Sequence, residues 1–308
     1  MVVAPLSSVY LTTFVTYDTV EQSPNNSAPE GQLFTEALGR GGRIVTLIED
    51  RGLCALSVRA LTVRYGGFTA VSEVDLDVPV GEVVGLIGPN GAGKTTCFNA
   101  IGGYLKPYAG SVIVNGVQMT KSNPRAAWRA GIGRTFQRLE LFWTLTVTDH
   151  IELARRLALK QRRTPPSTAA IIKILGLSGL EDRVVATLSL GSNRLVELAR
   201  AIATGSSLIL MDEPCSGLDH VETATLQTAL THMRTELNLS LLIVEHDMDF
   251  ILTIADTILV LNYGRMIAKG TPQEIRASEE VRRAYLGDAA DETPKRAGGV
   301  KAVEAVAS

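Results

Sequence analysis

A glycine-rich loop that follows a short apolar run constrains the fold of this chain more than any other feature. The loop fits the pattern G-x-x-x-x-G-K-[ST], and its residues are Gly88, Pro89, Asn90, Gly91, Ala92, Gly93, Lys94, Thr95 and Thr96. The run Val83 to Ile87 predicts a buried strand before the loop, and Lys94 to Gly103 predicts a helix after it. Because strand, loop and helix in this order are the context that the pattern requires, the sequence predicts a phosphate-binding loop in an α/β fold.

The residue types of this loop suit a polyphosphate. Glycines at 88, 91 and 93 permit positive φ angles and a close approach of backbone N–H groups to an anion. The N-terminus of the following helix adds a positive partial charge. Lys94 would reach the β- and γ-phosphates, and the Thr95 hydroxyl would hold Mg²⁺. A glycine-rich turn without function is the alternative, but every position of the pattern is filled in the expected context.

Composition excludes several classes of protein. The chain has 308 residues, of which 45% are hydrophobic and 20% charged, which is typical of a globular protein of one large or two small domains. Its formal net charge of −2 offers no general attraction for nucleic acid. Cys54, Cys97 and Cys215 are few and scattered, so we expect a reducing compartment and no zinc site. No apolar run reaches 18 residues, and Met1 to Val20 lacks the pattern of a signal peptide, so we expect neither a membrane span nor an export signal.

The two ends of the chain differ from its middle. Residues 1–54 are predicted to form a poorly ordered extension, with a short helix near Leu33 to Leu38 and a strand near Arg43 to Ile48. Asp288 to Ser308 is rich in Ala, Gly and charge without periodicity, which predicts a disordered tail. The folded part is therefore expected at residues 55–287.

Hydrophobic periodicity predicts the elements of this folded part. Ser57 to Tyr65 and Ala70 to Val78 alternate apolar and polar residues, which predicts antiparallel strands with one buried face. Leu208 to Met211 and Leu241 to Val244 are continuous apolar runs joined by a helical stretch, Val221 to Leu237, which predicts a parallel βαβ unit. The other predicted elements are strands at Ser111 to Val114 and Gly131 to Gln137, a helix from Thr146 capped with Asp149, helices at Ala169 to Leu175, Asn193 to Thr204 and Pro272 to Tyr285, and a hairpin of Thr257 to Asn262 with Arg265 to Ala268.

Two adjacent carboxylates, Asp212 and Glu213, end the first of the parallel strands. A carboxylate at this position lies beside the Mg²⁺ of a bound nucleotide, and the next residue can polarise an attacking water. General-base help of this kind contributes about 10²–10⁴-fold to the rate. Surface carboxylates that only cap a strand are the alternative, which the phosphate loop disfavours. The sequence thus predicts hydrolysis of a nucleoside triphosphate.

Further segments resemble the motifs of ABC-transporter ATPases. The resemblance covers roughly residues 57–287 and is specific, because six separate motifs stand in the family's order. Besides the loop and the two carboxylates, the matching residues are Tyr65, Gln137 of the Q-loop Gly133 to Gln137, the signature Leu188 to Ser192 with Arg194 to Ala201 after it, the D-loop Ser216 to Asp219, and His246 as switch histidine. The resemblance implies an α/β fold of the P-loop NTPase class, an ABC ATPase domain with a RecA-like core, an antiparallel β subdomain and an inserted helical subdomain at about residues 138–190.

The resemblance also implies a role for each matching residue. Tyr65 would stack on adenine, and Glu213, His246 and Gln137 would be catalytic. Thr95, Gln137 and Asp212 would hold Mg²⁺. The residues implied in ATP binding are Tyr65, the loop from Gly88 to Thr96, Ser189, Gly191, Ser192 and Asp219. The implied cofactors are therefore ATP and Mg²⁺.

The signature segment implies a second subunit. It opens a helix, so Ser189 and Gly191 would present a hydroxyl and backbone N–H groups to an anion. In the family these donors serve the γ-phosphate bound by another ATPase subunit, identical or a paralogue, in a head-to-tail sandwich. Two positions depart from the family pattern, with Leu190 in place of a common Gly and Ser192 in place of Gln. Ser192 can still donate a hydrogen bond, whereas Leu190 removes the backbone freedom of glycine.

Several segments resemble the ATP-binding subunits of branched-chain amino-acid uptake systems. They are Arg134 to Gln137, Leu141 and Phe142 before Leu145 to Val147, the Leu-Gly form of the signature, and the end from Gly264 to Pro272 and from Ala284 to Gly287. The resemblance implies a peripheral subunit at the cytoplasmic face of the plasma membrane. Its partners would be integral-membrane permease subunits, a second ATPase and, indirectly, an extracytoplasmic solute-binding protein, but no nucleic acid. Phe142 and Trp143 are expected to contact a permease helix.

Other functions remain open at this point. The same lineage serves urea and short amides, and the cargo is chosen by other chains. An exporter subunit and a soluble ABC ATPase acting on ribosomes or DNA are further alternatives. A single phosphate loop, the absence of heptads and the net charge disfavour the soluble class. A catalytically silent subunit is disfavoured because Glu213 and His246 are both present.

The remaining reactive or charged side chains are expected to be structural. Cys97 and Cys215 are predicted to be small buried hydrophobic residues. His150, His220 and His232 do not have the spacing of metal ligands. The basic residues Arg155, Arg156, Lys160, Arg162 and Arg163 predict a solvated helix face, with acidic lipid or an acidic partner as the alternative.

Overall fold

The computed structural model describes residues 36–39, 42–45, 54–119 and 123–286. The chain divides into two compact units, Met1–Arg51 and Gly52–Ser308. Most of the predicted extension and the whole predicted tail, Asp288 to Ser308, lie outside the described residues.

In the first unit, the structure describes one antiparallel pair of strands, β1 (Glu36–Gly39) and β2 (Gly42–Val45). The helix predicted near Leu33 to Leu38 is wrong over Glu36 to Leu38, which pair with Arg43 to Val45. A helix of six residues is too short to be stable without packing, whereas a strand pair satisfies its backbone across the ladder. The predicted strand is confirmed from Arg43 to Val45.

The second unit contains a twisted antiparallel sheet. Its strands are β3 (Cys54–Tyr65), β4 (Phe68–Pro79), β6 (Ala109–Val114) and β7 (Val117–Gln118), in the spatial order β4-β3-β6-β7. In β4, buried residues from Val71 to Val78 are separated by less buried ones, as the sequence predicted. In β3 the predicted alternation is interrupted, because Leu61, Thr62 and Val63 are all buried where the pairing register shifts. The turn at Asn115 and Gly116 has positive φ at both residues, which is the type I′ geometry of a tight hairpin.

The central sheet has six strands, five of them parallel. They are β5 (Val83–Ile87), β8 (Ile132–Arg134), β9 (Leu208–Asp212), β10 (Ser240–Val244), β11 (Thr257–Asn262) and β12 (Arg265–Gly270), in the order β12-β11-β5-β10-β9-β8. Only β12 is antiparallel to its neighbour. Every residue of β5, β9 and β10 is buried, which confirms the prediction from their apolar runs. Because parallel strands end at one edge, this sheet brings the loop after β5, Asp212 and the segment after β10 to the same side.

The described residues of the second unit contain nine α-helices and one short 3₁₀-helix. They are α1 (Lys94–Ile101), α2 (Pro124–Ala130), α3 (Val147–Lys160), α4 (Thr168–Ile174), the 3₁₀-helix Val185–Thr187, α5 (Leu190–Ala203), α6 (His220–Leu237), α7 (Met248–Ile254), α8 (Pro272–Ala277) and α9 (Glu279–Leu286). No helix in the described part of the chain is long and apolar enough to cross a membrane.

Capping residues explain where helices differ from prediction. The helix predicted at Asn193 begins at Leu190 because the Ser189 side chain accepts from Ser192 N–H, at 3.2 Å. The single helix predicted at Pro272 to Tyr285 is two helices, because Ser278 is extended and its hydroxyl accepts from Val281 N–H, at 3.3 Å. The helices α2 and α7 were not predicted, although Asn123 and Asp247 cap them with side-chain oxygens.

The central sheet separates two apolar cores, because alternate residues of its strands face opposite sides. Val83 and Ile87 face a core formed with α3 to α7, whereas Val84 and Leu86 face a core formed with α1 and the antiparallel sheet. The strand edge that carries the candidate site is thus held by packing on both faces.

Candidate active site

The phosphate loop lies between β5 and α1 in a conformation that needs its glycines. Gly88 and Gly93 have φ of 150° and 99°. A Cβ at Gly88 would lie 2.0 Å from the Leu261 carbonyl oxygen, and one at Gly93 would lie 2.6 Å from that of Ala70. Gly91, with φ of 78°, has open space beside it. Packing therefore fixes the loop's two ends, and its middle is open to a ligand.

Lys94 lies across this loop and is 8% exposed. Its Nζ donates to the carbonyl oxygens of Gly88 at 2.6 Å and Pro89 at 3.0 Å. Burial lowers the pKa of Lys94, and the nearby carboxylates of Glu213 and Asp212 partly offset that shift. An ammonium held by neutral carbonyls can exchange them for phosphate oxygens, which are stronger acceptors.

A cleft of about 280 Å³ opens over the loop. Tyr65 and Phe68 are exposed and paired in register across the turn between β3 and β4. Glu213 lines the cleft with them, as do Ala70, Asn90, Gly91, Ala92, Gly93, Lys94, Thr95 and Thr96. Two aromatic rings beside a polyphosphate loop suit a nucleotide base. Phe68 was not predicted as a site residue, although an aromatic residue opposite Tyr65 was visible in the sequence.

The predicted carboxylates lie at the end of β9. Asp212 is 8% exposed, and burial raises its pKa, an effect that the Arg134 guanidinium partly offsets. Glu213 has a φ of +47°, which is strained for a residue with a side chain, and its N–H donates to Val244 O at 2.8 Å. Its Oε2 accepts from Gln137 Nε2 at 2.7 Å. The structure therefore joins two residues predicted to be catalytic, from distant parts of the chain.

A buried ion pair on α5 holds the backbone beside Gln137. Arg194 donates to the carbonyl oxygens of Phe136 at 2.8 Å and Gln137 at 2.6 Å. Phe136 N–H donates to Glu197 Oε1 at 3.0 Å, and the two charged side chains are 3.2 Å apart. Neither charge was predicted to have a role. The signal was two opposite charges three residues apart on a helix whose neighbouring residues are apolar.

His246 follows β10 and is exposed. Its Nδ1 lies 3.5 Å from Glu245 Oε2. Glu245 is fully buried and accepts from the N–H groups of Cys215 at 2.8 Å and His246 at 2.9 Å. This carboxylate, which was not predicted, thus joins the backbone after Glu213 to the backbone at His246. His246 itself does not line the cleft over the phosphate loop.

The backbone donors of the signature segment have hydrogen-bond partners within this chain. The Gly191 N–H donates to Glu222 Oε1 at 2.9 Å, and Ser192 N–H donates to the Ser189 hydroxyl. Both backbone donors therefore have partners inside this chain. Asp219 caps α6, and its Oδ1 accepts from Glu222 N–H at 2.8 Å. None of the signature or D-loop residues lines the cleft over the phosphate loop.

The donor atoms near the loop limit which metal can bind. No group of three or more His, Cys, Asp or Glu within residues 54–119 and 123–286 could hold a metal ion. Thr95, Gln137 and Asp212 offer hard oxygen donors, and Thr95 is exposed in the cleft. Mg²⁺ usually takes one or two protein carboxylates together with phosphate and water oxygens. These residues therefore fit Mg²⁺ held jointly with a polyphosphate.

An apolar groove of about 350 Å³ lies next to this site. Phe142, Leu153 and Leu157 line it and are 54%, 42% and 54% exposed. Trp143, which was expected to act with Phe142, is exposed but does not line the groove. The other lining residues include Tyr104, Trp128, Arg134, Phe136 and Arg200.

The five basic residues do not all form the predicted solvated helix face, and α3 ends at Lys160, before Arg162 and Arg163. Arg163 stacks on Trp128 with its Cζ 4.8 Å from the ring centre and donates to the carbonyls of Trp128, Thr204 and Gly205. Arg155 bonds Glu152 and Pro166 O, both at distances near 2.9 Å. The prediction is confirmed for Arg156 and Lys160, which are exposed on α3, whereas Arg162 is exposed but lies beyond the helix.

Cys97 and Cys215 are buried, as predicted, and burial raises the pKa of the Cys97 thiol to about 12. A thiol that stays protonated at neutral pH is a poor nucleophile. Both observations agree with the prediction that these cysteines are small buried hydrophobic residues.

Comparisons with known proteins agree with this geometry. Residues 71–216 match the family described as ABC transporter, and residues 265–291 match the branched-chain amino acid ATP-binding cassette transporter family. The chain is 36% identical over 250 residues to the high-affinity branched-chain amino acid transport ATP-binding protein LivG of Escherichia coli, covering 76% of this chain and 98% of that protein. It is 35% identical over 250 residues to BraF of Pseudomonas aeruginosa, a protein of the same description, with the same coverage.

The chain is also similar in structure to solved ATP-binding cassettes of ABC transporters. The crystal structure of an ABC-transporter ATP-binding cassette in its ADP conformation has a TM-score of 0.68 and 29% identity, covering 76% of this chain and 99% of that one. A nucleotide-free cassette of an ABC transporter has a TM-score of 0.66 with the same identity and coverage.

Proposed function

This chain belongs to the ABC transporter family of ATP-binding proteins, and from that premise we propose that it energises an importer of branched-chain amino acids by hydrolysing ATP. The observation that carries the hydrolytic part is the Gln137–Glu213 hydrogen bond beside the phosphate loop. The cargo is proposed from the match of residues 265–291 to the branched-chain amino acid cassette family and from the names of the relatives.

Each residue of the cleft would have a separate role in binding or hydrolysing ATP. Tyr65 and Phe68 would hold the base, and Lys94 would hold the terminal phosphates. Thr95, Gln137 and Asp212 would hold Mg²⁺, which when bound neutralises charge on the β- and γ-phosphates. Glu213 would take the proton of the attacking water, and the Gln137 amide would fix the direction of that carboxylate.

A second ATPase subunit would complete the site. Ser189, Gly191, Ser192 and Asp219 do not line the cleft of their own chain, so they would serve the nucleotide of the other subunit. His246 would contact the γ-phosphate and orient the water. Two bound ATP molecules would close the pair, hydrolysis would reopen it, and ADP and phosphate would leave.

The apolar groove would couple this cycle to transport. Exposed apolar side chains on α3 and at Phe142 form one wall of a concave surface, which suits the apolar face of a helix. The occupant we propose is a cytoplasmic helix of a permease subunit. The chain would therefore work peripherally at the cytoplasmic face of the plasma membrane, with a solute-binding protein contacting the permease from the other side.

Uptake into proteoliposomes tests the whole proposal. The complex recovered from membranes with the tagged chain, together with its solute-binding protein, should take up labelled leucine when ATP is supplied inside the vesicles. Glu213→Gln should still bind ATP but should lower hydrolysis and uptake by about 10²–10⁴-fold, because the general base is lost. Glu236→Gln, an exposed glutamate on α6, is the matched control and should behave as wild type.

Each part of the proposed function has its own contradicting result. ATP-driven uptake of urea but not of leucine would show that the cargo is not a branched-chain amino acid. Recovery of ribosomes or DNA-repair proteins without a permease would show that the chain is not an importer subunit. Hydrolysis by Glu213→Gln at the wild-type rate would remove the role of Glu213.

A further inference from the structure

We propose that Glu222 is a positioning residue that sets the ATP concentration at which this subunit closes on its partner, because its carboxylate occupies the signature N–H that the partner's nucleotide needs. The inference rests on the proposed function, since it assumes a γ-phosphate that approaches the signature from a second ATPase subunit. Glu222 matches none of the motifs described above and lies three residues after Asp219.

The carboxylate of Glu222 joins the signature to the D-loop. Glu222 Oε1 accepts from Gly191 N–H at 2.9 Å, and Oε2 accepts a longer bond from Asp219 N–H at 3.5 Å. The Glu222 N–H donates to Asp219 Oδ1, so the residue belongs to the capping box of α6. One side chain therefore holds both segments that would face the second nucleotide.

Local packing favours this contact. A Cβ at Gly191 would lie 2.8–2.9 Å from side-chain atoms of Glu222, so the close approach depends on glycine at that position. A Cβ at Gly217 would lie 3.1 Å from Leu190 Cδ2, so the leucine that departs from the signature pattern lies against the D-loop. The two contacts lie side by side and hold the start of α5 against the segment before α6.

The contact competes with a phosphate for one donor. A carboxylate that accepts a backbone N–H makes a charge-assisted bond, and a phosphate oxygen needs the same hydrogen. Two anions at one N–H also repel each other. The next donor, Ser192 N–H, is taken by Ser189, so it offers no free alternative. Glu222 must therefore turn away when the second nucleotide arrives.

The side chain can turn away without unfolding anything. Glu222 is partly exposed, and the shorter bond of the capping box, from its own N–H to Asp219 Oδ1, does not involve the carboxylate. Besides the Gly191 bond, the carboxylate would give up only the longer bond from Asp219 N–H. Closure thus exchanges one charge-assisted bond for another and moves a carboxylate into water. Removing the carboxylate should make closure require less ATP, by about tenfold for one charged hydrogen bond of this kind.

The test compares Glu222→Ala, Glu222→Gln and the control Glu236→Ala in the ATPase complex recovered from membranes. We expect the half-saturating ATP concentration for hydrolysis to fall about tenfold in Glu222→Ala and by less in Glu222→Gln, because the amide oxygen still accepts but carries no charge. Glu236→Ala should match wild type. A merely structural role for Glu222 would give the opposite order, with alanine raising this concentration or lowering kcat.

Amide hydrogen exchange of the purified chain reports directly on the hydrogen bond from Gly191 N–H to Glu222. Without nucleotide, the peptide that contains Gly191 should exchange faster in Glu222→Ala than in wild type, and Glu236→Ala should leave it unchanged. An unchanged or higher half-saturating ATP concentration in Glu222→Ala, or unchanged exchange at Gly191, would overturn the inference. A wild-type complex that hydrolyses no ATP would instead overturn the proposed function and the inference with it, so the two failures are distinguishable.

Discussion

Arg134 is the residue at which the groove and the hydrolytic site meet. Its Nη2 donates to Asn99 Oδ1 at 2.8 Å and lies 3.4 Å from Asp212 Oδ2. Its Cζ lies 4.8, 4.7 and 5.3 Å from the ring centres of Phe98, Tyr104 and Phe136. The Nε and Nη1 atoms are buried without a hydrogen-bond acceptor, so the ring faces supply their stabilisation. A single guanidinium therefore balances the charge of Asp212 and forms part of the groove wall.

We expect Arg134→Met to destabilise the fold by about 3 kcal/mol, because it leaves the Asp212 carboxylate buried without its cation. The double variant Arg134→Met with Asp212→Asn should cost less than the sum of the two single changes, because no unpaired charge remains. Urea denaturation without nucleotide or Mg²⁺ measures all three free energies of unfolding.

Arg156→Met is the control for this cycle, since Arg156 is exposed on α3. It should change the free energy of unfolding by less than about 0.5 kcal/mol. Strict additivity of Arg134→Met and Asp212→Asn would show that the two side chains do not interact.

At the scale of elements, the start of α3 depends on a buried histidine. His150 is fully buried, and its Nε2 accepts from Phe142 N–H at 2.9 Å. Because that nitrogen is an acceptor, the proton must lie on Nδ1, which donates to Thr146 O at 2.9 Å. The ring also lies against Phe142, with the ring centres 5.9 Å apart. A neutral imidazole thus fixes the position of one wall of the groove.

We predict that acid weakens this arrangement. Burial lowers the pKa of His150 below its ordinary value of 6.5. The unfolded chain therefore takes up this proton first as the pH falls, and the contribution of neutral His150 to stability is present above pH 6.5 and lost below it. His150→Gln should cost about 1–2 kcal/mol at pH 7, for one or two lost hydrogen bonds. It should also flatten the fall in unfolding free energy between pH 7 and about pH 5.

Denaturation of His150→Gln and His232→Gln at both pH values measures this effect. His232 is exposed on α6, so its variant should keep the wild-type slope. If His150→Gln loses stability with acid as steeply as wild type does, the slope has another source.

The elements predicted from sequence are those whose signal is local. Apolar runs gave β5, β9 and β10, and Thr146 with Asp149 gave the capping box of α3, which the structure contains. Ser278 was missed as a break because a serine within a helical pattern is common, and only its bond to Val281 N–H shows that it ends one helix and begins another.

Within the site, the residues of contiguous motifs could be predicted from the sequence, whereas those that act through contacts with distant residues could not. The hydrogen bonds of Arg194 and Glu197 to the Q-loop backbone join residues 57–61 positions apart. The bond of Glu245 to Cys215 N–H joins residues 30 positions apart. Sequence patterns relate only residues that are close together in the chain, and these pairs come into contact only once the sheet has formed.

At the scale of the whole unit, the Q-loop, α5 and the groove form one connected body. Arg194 and Glu197 tie the backbone at Phe136 and Gln137 to α5, while Gln137 bonds Glu213 at the hydrolytic site. A helix that enters the groove would contact Phe136 and α3, and α3 packs with α5 in one apolar core. A displacement of α5 would therefore reach Gln137 through the hydrogen bonds of the buried Arg194 and Glu197 side chains, which is a physical route between docking and hydrolysis.

The groove itself can be tested on exposed residues whose loss should not unfold the chain. We expect Phe142→Ala with Leu157→Ala to weaken permease binding by about 2 kcal/mol, roughly thirtyfold, because both side chains would become buried on docking. The measurement is the amount of permease that copurifies with the tagged chain from detergent-solubilised membranes, over a range of chain concentrations.

Leu159→Ala provides the matched control on the same helix. Leu159 is 52% exposed, much like Leu157, but does not line the groove, so its loss should leave permease recovery unchanged. Trp143→Ala should behave like Leu159→Ala, because Trp143 also lies outside the groove lining. Equal losses in all of these variants would indicate that docking follows general surface hydrophobicity. Full recovery with the Phe142 and Leu157 double variant would show that the permease binds another surface. Docking in the groove could then not act on Gln137 through α5.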